Sequence, residues 1–169
     1  MTKELGRDQE SIKALTEALL AQCLRHYGDR LVSLVLYGSV ARGTHHGESD
    51  LDVFLIATGL PRGRMKRQEE FDAVEEALWG SLGISAAEPE SMPISVVFKT
   101  PDEALAGSPL FLDMVEDARI LFDRDDFFRK VLTRLAERLK VLGAKRIRQG
   151  SAWYWDLKPD YKPGEIFEL

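Results

Sequence analysis

Residues 38–52 read GSVARGTHHGESDLD, and this stretch decides the fold because it joins two runs of apolar residues. The run LVSLVLY precedes it at 31–37, and the run LDVFLIA overlaps its end at 51–57. Short, nearly continuous apolar runs are typical of strands that are buried on both faces. Gly38 follows the first run directly, and its lack of a Cβ would let the backbone approach a ligand closely. The pattern predicts two buried strands joined by a turn that faces a ligand.

The residues that follow Gly38 are suited to an anion. Ser39 is predicted to cap a short helical turn whose free backbone N–H groups point at a bound anion. Arg42 adds a fixed positive charge one helical turn later, and its planar guanidinium matches a phosphate group. We therefore predict that Gly38, Ser39 and Arg42 bind the phosphates of a nucleotide.

Asp50 and Asp52 lie two residues apart at the start of the second strand. Side chains at this spacing project from the same face of a strand, so the two carboxylates converge. Adjacent carboxylates repel each other unless a cation lies between them, and hard oxygen ligands favour Mg²⁺. A simple turn and strand start would explain each feature alone. The whole ordered series instead predicts a phosphate site beside a metal site, which is what nucleotide chemistry requires.

The pair GS at 38–39, ten intervening residues and D-x-D at 50–52 resemble the signature of the nucleotidyltransferase fold of the DNA polymerase beta superfamily. The ARG at 41–43 and SD at 49–50 are similar to its minimal nucleotidyltransferase branch, whose members include antitoxins paired with helical HEPN toxins. The resemblance covers residues 31–99. It implies Mg²⁺-dependent transfer of a nucleoside monophosphate from a nucleoside triphosphate, expected to be ATP, to a hydroxyl of a protein or small molecule.

The same resemblance implies roles for individual residues. Gly38 and Ser39 would hold the triphosphate. Asp50 and Asp52 would be the catalytic residues and would bind two Mg²⁺ ions, one with the triphosphate and one at the attacking oxygen.

The third predicted strand, Ile94–Lys99, departs from this pattern because many superfamily members carry a further carboxylate there and this strand has no acid. Alternation places Ser95 and Lys99 on one face, so either residue could occupy the position of the third acid. Glu88 and Glu90 precede the strand and are the alternative sources of a carboxylate. The alternative function is therefore a catalytically weak, nucleotide-binding interaction protein of the antitoxin type, whose partner would be a separate helical toxin-like chain.

The order of the remaining elements predicts an α/β (α+β) fold with a small mixed sheet. We expect a nucleotidyltransferase domain at 1–106 and a helical C-terminal extension with an aromatic, proline-containing tail at 107–169. The predicted elements outside the motif are a helix from about residue 8 to 27, a helix ending near Gly80, a turn at 102–106, a helix capped by Ser108-Pro109, an extended piece at 119–122 and a helix at 127–143.

Composition excludes several other classes. The 169 residues suit about one domain, 44% of them are hydrophobic, and the net charge of −5 argues against a basic nucleic-acid clamp. The single cysteine, Cys23, excludes an internal disulfide and a multi-cysteine zinc site, and its place on an apolar helix face predicts a core position. No apolar run approaches a membrane span or an export signal, so a cytoplasmic setting is expected.

Two features of the sequence keep more than one interpretation. The basic residues of 129–148, with Glu137 as the only acid, form either a solvated face or a patch that attracts triphosphate, RNA or an acidic partner. The rings of Trp153, Tyr154 and Trp155 either fasten the tail to the domain or dock on a base or on a second subunit, as in a homo-oligomer. His45 and His46 are expected in an exposed loop near the substrate entrance.

Overall fold

A computed structural model of the protein describes residues 9–46, 49–84, 92–150 and 152–169. The helices are α1 (Gln9–Tyr27), α2 (Gly38–Arg42), α3 (Arg64–Leu82), α4 (Pro101–Leu105), α5 (Phe111–Asp117) and α6 (Phe127–Leu142). The strands are β1 (Leu31–Leu36), β2 (Leu51–Ala57), β3 (Ile94–Lys99), β4 (Arg119–Asp123), β5 (Lys145–Gln149) and β6 (Ala152–Asp156). Among the residues given above, none of the helices combines the length and apolarity of a membrane span.

A mixed four-stranded sheet forms the centre of the fold, with the strand order β3-β2-β1-β4. β1 pairs antiparallel with both β2 and β4, and β2 pairs parallel with β3. All six residues of β1 are buried, as its continuous apolar run predicts. The parallel pair requires a long crossover, which α3 supplies. The prediction of a small mixed sheet is confirmed.

Helices cover both faces of this sheet. On one face, α1 and α3 bury Leu19, Cys23 and Phe71 against β1 and β2. Burial raises the pKa of the Cys23 thiol to about 12, so this residue is an inert part of the core, as predicted. On the other face, Phe54 of β2 meets Phe111 of α5 and Phe128 of α6, with ring centroids 5.0–5.3 Å apart.

Two side-chain clusters fix the helices to the sheet. Asp123, at the end of β4, accepts hydrogen bonds from the buried Ser33 hydroxyl (2.6 Å) and from the backbone N–H groups of Phe128 and Arg129 (2.9 Å each). Glu103 of α4 forms a capping box with Thr100 and accepts two hydrogen bonds from the Arg67 guanidinium of α3 (2.7 and 2.9 Å). Each cluster connects elements that are distant in sequence.

The structure differs from the predicted elements at three places. α3 continues through Gly80 and ends at Gly83, whose φ of +71° and N–H bond to the Gly80 carbonyl close the helix. α5 begins at Phe111, because Ser108 and Pro109 form a preceding turn in which the Ser108 carbonyl accepts the Phe111 N–H.

The third difference concerns the residues after 106. β4 completes the sheet beyond the boundary expected at that position, so the extension is not purely helical. β5 and β6 form an antiparallel hairpin in the segment expected to be helical and then irregular.

Candidate functional site

The turn after β1 brings Gly38 against the side chain of Asp52. Gly38 has a φ of +70°, and a Cβ built on it would lie 2.0 Å from Oδ2 and 2.9 Å from Cγ of Asp52. The backbone N–H of Tyr37 donates to the Asp52 carbonyl at 3.1 Å, which holds the two segments together. We expected the missing Cβ to admit a ligand, but the group that comes this close to Gly38 is the Asp52 carboxylate.

The short helix α2 carries Ser39 and Arg42. It begins at Gly38 and its N-cap position is Tyr37, with no side-chain cap hydrogen bond, so the predicted capping role of Ser39 is wrong. Ser39 lies inside the first turn instead, and its carbonyl accepts hydrogen bonds from the N–H groups of Gly43 and Thr44. Gly43, with a φ of +69°, ends the helix one residue after Arg42.

The two aspartates lie where the sequence places them, at the start of β2. Asp50 is exposed immediately before the strand, and Asp52 is half-buried as its second residue. Burial raises the pKa of the Asp52 carboxyl, the negative charge of Asp50 raises this pKa further, and the Arg42 guanidinium opposes both effects. Asp50, Asp52 and Arg42 therefore share one electrostatic neighbourhood.

These carboxylates fit a divalent cation. Mg²⁺ is usually held by one or two protein carboxylates together with substrate phosphates and water, and the repulsion that raises the Asp52 pKa is what a bound cation would relieve. Within the described parts of the chain, no group of three or more His, Cys, Asp or Glu residues could hold a metal ion. Asp50 and Asp52 would thus be the protein's described contribution to such a site.

The position beside Asp52 on β3 is occupied by Ser95. The parallel register pairs Asp52 with Ser95 and Ile56 with Lys99. Because paired residues of neighbouring strands project from the same face, Ser95 is adjacent to Asp52. Lys99 projects from that face too, but it lies four residues further along β3. The predicted choice between Ser95 and Lys99 is decided in favour of Ser95. Glu88 and Glu90 lie outside the described residues.

The hairpin of β5 and β6 brings a second group of residues to Arg42. The Arg42 guanidinium lies 4.8 Å from the Trp153 ring, and its Nη1 is 3.8 Å from Oδ2 of Asp117. The indole N–H groups of Trp153 and Trp155 both donate to Oδ1 of Asp113, at 2.9 and 3.1 Å. The interpretation that these rings fasten the tail to the domain is confirmed for Trp153 and Trp155, whereas the Tyr154 side chain is exposed.

The sequence analysis missed the contact between the hairpin and Arg42, because it assigned no strand to 145–149 or 152–156. One signal was present in the sequence. Arg146 and Arg148 lie two apart, as do Trp153 and Trp155, and this spacing places each pair on one face of a strand.

The two histidines of the connecting loop differ in exposure. His46 is exposed, and its backbone N–H donates to the Ser49 hydroxyl at 3.0 Å. His45 is half-buried, and its Nδ1 is buried without a hydrogen-bond partner among the described residues. The prediction of an exposed pair is therefore right for His46 and wrong for His45.

Comparisons with known proteins identify the family of the region that contains the candidate site. The family model for the nucleotidyltransferase domain matches residues 17–121. A relative from Methanocaldococcus jannaschii, named as a protein adenylyltransferase, is 30% identical over 149 residues, which cover 86% of this chain and 95% of the relative.

Solved structures with a similar fold share less sequence. A toxin–antitoxin complex with AMP-PNP includes a chain 21% identical to this one, with a TM-score of 0.46 over 76% of this chain and 95% of that chain. The complex of a tri-AMPylated Shewanella oneidensis HEPN toxin with its MNT antitoxin includes a chain 18% identical, with a TM-score of 0.41 over 76% of this chain and 94% of that chain.

Proposed function

Because the chain belongs to the nucleotidyltransferase domain family, we propose that it is a Mg²⁺-dependent adenylyltransferase that moves AMP from ATP to a hydroxyl of a protein. The observation that carries this proposal is the Asp52 carboxylate lying against Gly38, with Asp50 and Arg42 as its charged neighbours. Two carboxylates beside a guanidinium suit a metal-bound polyphosphate. The carboxylates would bind the cation, and the guanidinium would bind the phosphate oxygens. The name of the relative supports a protein as the acceptor.

In the proposed reaction, the acceptor oxygen attacks the α-phosphorus of ATP and the bond from that phosphorus to the bridging oxygen breaks. Pyrophosphate leaves, and the proton of the acceptor hydroxyl passes to solvent water. Asp50 and Asp52 would hold the Mg²⁺, which when bound neutralises phosphate oxygens and lowers the pKa of an attacking hydroxyl.

The residues of this chain supply binding and position. Gly38 allows the Asp52 carboxylate to lie against the backbone of the turn, and this contact fixes where a metal would be held. Arg42 places a permanent positive charge near the same carboxylate, where it can bind an oxygen of the triphosphate. Gly38 and Ser39 are proposed to hold the triphosphate itself.

Labelled ATP tests this proposal. The protein would be incubated in cell extract with Mg²⁺ and ATP carrying the label either at the α- or at the γ-phosphate. We expect label from the α-phosphate to become attached to a protein and label from the γ-phosphate to be released with pyrophosphate. The variant Asp50→Asn should lose this labelling by at least about 10²-fold, because it removes a ligand that neutralises charge in the transition state.

A matched control uses an aspartate at the opposite end of β1. Asp29 is fully exposed in the turn that precedes this strand, whereas the site follows the strand. Asp29→Asn should therefore keep full labelling. Transfer of the γ-label, or equal α-labelling by Asp50→Asn and the unaltered protein, would reject the proposed reaction.

One observation favours a second candidate function, a nucleotide-binding partner of a helical toxin-like chain with weak catalysis of its own. Ser95 occupies the position beside Asp52, and the pKa of a serine hydroxyl is too high for a general base near neutral pH. Calorimetry with ATP, followed by a turnover assay with and without extract, separates the two. Mg²⁺-dependent ATP binding without any α-labelling, in either setting, would support the second candidate.

A further inference from the structure

Next to the proposed metal site lies a cleft that the proposed reaction does not yet use. Arg42 and Thr44 form one side, and the hairpin residues Arg146, Arg148 and Trp153 form the other. The volume of the cleft is about 510 Å³. Three of the five residues that line it carry guanidinium groups and none carries a carboxylate. The lining therefore selects for an anion.

The three arginines differ in how far their charges are already neutralised. The guanidinium of Arg146 donates to Glu116 at 2.8 Å and to Asp117 at 2.7 Å, and these carboxylates raise its pKa. Arg42 lies 3.8 Å from Asp117, so this carboxylate is shared between two arginines. The guanidinium of Arg146 is thus held by these acids and serves as a fixed part of the cleft lining.

Arg148 is different. Its Nε donates to the Gly150 carbonyl at 3.2 Å, its side chain is exposed, and it forms no ion pair with an acid of the described residues. Arg148 therefore has unused hydrogen-bond donors and a positive charge that no acid of the described residues neutralises. A guanidinium in this state can form charge-assisted, bidentate hydrogen bonds with a phosphate.

The Trp153 ring holds the cleft in shape. The guanidinium groups of Arg42 (4.8 Å) and Arg146 (4.2 Å) both lie near the centre of this ring, and its indole N–H donates to Asp113. In the hairpin register, Trp153 pairs directly with Arg148. The cleft is therefore built before any ligand arrives, which reduces the ordering cost of binding.

We propose that this cleft binds the β- and γ-phosphates of the nucleoside triphosphate, and that Arg148 is the residue by which the C-terminal hairpin recognises them. The identity of the ligand rests on the proposed function, and the presence of a polyphosphate site rests on the cleft itself. Arg42 belongs both to this cleft and to the neighbourhood of Asp52, so one triphosphate can reach both. When the α-phosphate is transferred, the charge that develops on pyrophosphate is stabilised by the same arginines.

The test compares Arg148→Gln with Lys145→Gln. Lys145 is an exposed cation three residues earlier on β5, it projects from the opposite face of the strand, and it does not line the cleft. Calorimetry in Mg²⁺ would measure the affinity of each variant for ATP, AMP and inorganic pyrophosphate. We expect Arg148→Gln to weaken ATP and pyrophosphate binding by about tenfold or more and to leave AMP binding unchanged, because charge-assisted hydrogen bonds are lost. Lys145→Gln should stay within twofold of the unaltered protein for all three.

Each other outcome has a definite meaning. Equal affinities of Arg148→Gln and the unaltered protein for ATP and pyrophosphate overturn the proposal, and so does an equal loss of AMP and ATP affinity. If pyrophosphate binding weakens but ATP binding does not, the cleft takes a phosphoryl group from another molecule, and the assignment to the triphosphate is overturned.

The failure of the proposed function would look different. If no transfer is detected but Arg148→Gln still weakens ATP and pyrophosphate binding, the polyphosphate site is supported and the proposed transfer reaction is rejected. If transfer proceeds and the KM for ATP is the same in Arg148→Gln as in the unaltered protein, the transfer reaction is supported and the polyphosphate site is rejected.

Discussion

Replacing Gly38 with alanine should damage the protein in a way that the structure quantifies. The new Cβ would lie 2.0 Å from Oδ2 of Asp52, well inside contact distance, at a backbone φ of +70°. An L-residue in this left-handed region costs about 1–2 kcal/mol. Forcing a packed side chain aside costs about 1–3 kcal/mol more. We therefore expect Gly38→Ala to lower the free energy of unfolding by about 2–5 kcal/mol.

Gly43 offers a matched control five residues away. Its φ is +69°, almost the same as that of Gly38, but a Cβ there would meet nothing within 4 Å. Gly43→Ala should lose only the backbone contribution of about 1–2 kcal/mol. The difference between the two variants isolates the contact between the turn and the Asp52 carboxylate.

Urea denaturation of the two variants, of Asp52→Ala and of the double variant Gly38→Ala with Asp52→Ala would measure this contact. Asp52→Ala removes Oδ2 and Cγ and leaves a Cβ 3.2 Å from the new methyl group. We expect Gly38→Ala to be less destabilising by about 1–3 kcal/mol in that background. Equal losses for the two glycine variants, or strict additivity in the double variant, would refute the reasoning.

Further predictions concern charge and hydrogen bonding. Asp50→Asn removes a charge that raises the Asp52 pKa, so the metal-free protein should melt at a slightly higher temperature in EDTA; a lower Tm would contradict this. Ser95→Asp adds a hard oxygen ligand beside Asp52 and should tighten Mg²⁺ binding in calorimetry, whereas unchanged affinity would move the search for a third acid elsewhere. The Arg67 guanidinium lowers the pKa of the Glu103 carboxyl from 4.5 to about 2, so its stabilising effect is complete above pH 4.5 and is lost as the pH falls toward 2. Glu103→Gln should flatten this part of the urea midpoint against pH curve, and an unchanged curve would refute the assignment. Asp123→Ala should lower the free energy of unfolding by about 2–4 kcal/mol, because three donors lose their acceptor; a loss below about 0.5 kcal/mol in urea would contradict this.

The sheet and the spacing of the aspartates could be predicted from the sequence because both depend on local patterns. The apolar runs at 31–37 and 51–57 are long enough to specify buried strands, and the two-residue spacing of Asp50 and Asp52 specifies a common face. The end of α3 could not be predicted in the same way. Gly80 is a helix breaker by propensity, but Leu78 and Trp79 are buried in the core and the helix continues until Gly83 takes the left-handed conformation.

The remaining parts of the site depend on contacts between distant segments, which no local pattern contains. The approach of Asp52 to Gly38 follows from how β2 pairs with β1, and the choice of Ser95 over Lys99 follows from the register of β2 and β3. The cleft requires that Arg146 finds its acids on α5, about 30 residues earlier in the chain. The spacing of residues predicts which side chains share a face of a strand. It does not predict which distant residues contact that face.

The hairpin of β5 and β6 has a dynamic consequence. None of its described residues is buried, and a two-stranded ribbon alone is only marginally stable in water. Its attachment depends on the Asp113 carboxylate, which holds both indoles, and on the acids that hold Arg146. The hairpin amides are therefore expected to exchange with deuterium as one cooperative unit, through a local opening that leaves the sheet protected. In such an opening, the hairpin side of the cleft would detach and return while the side formed by Arg42 and Thr44 stays folded.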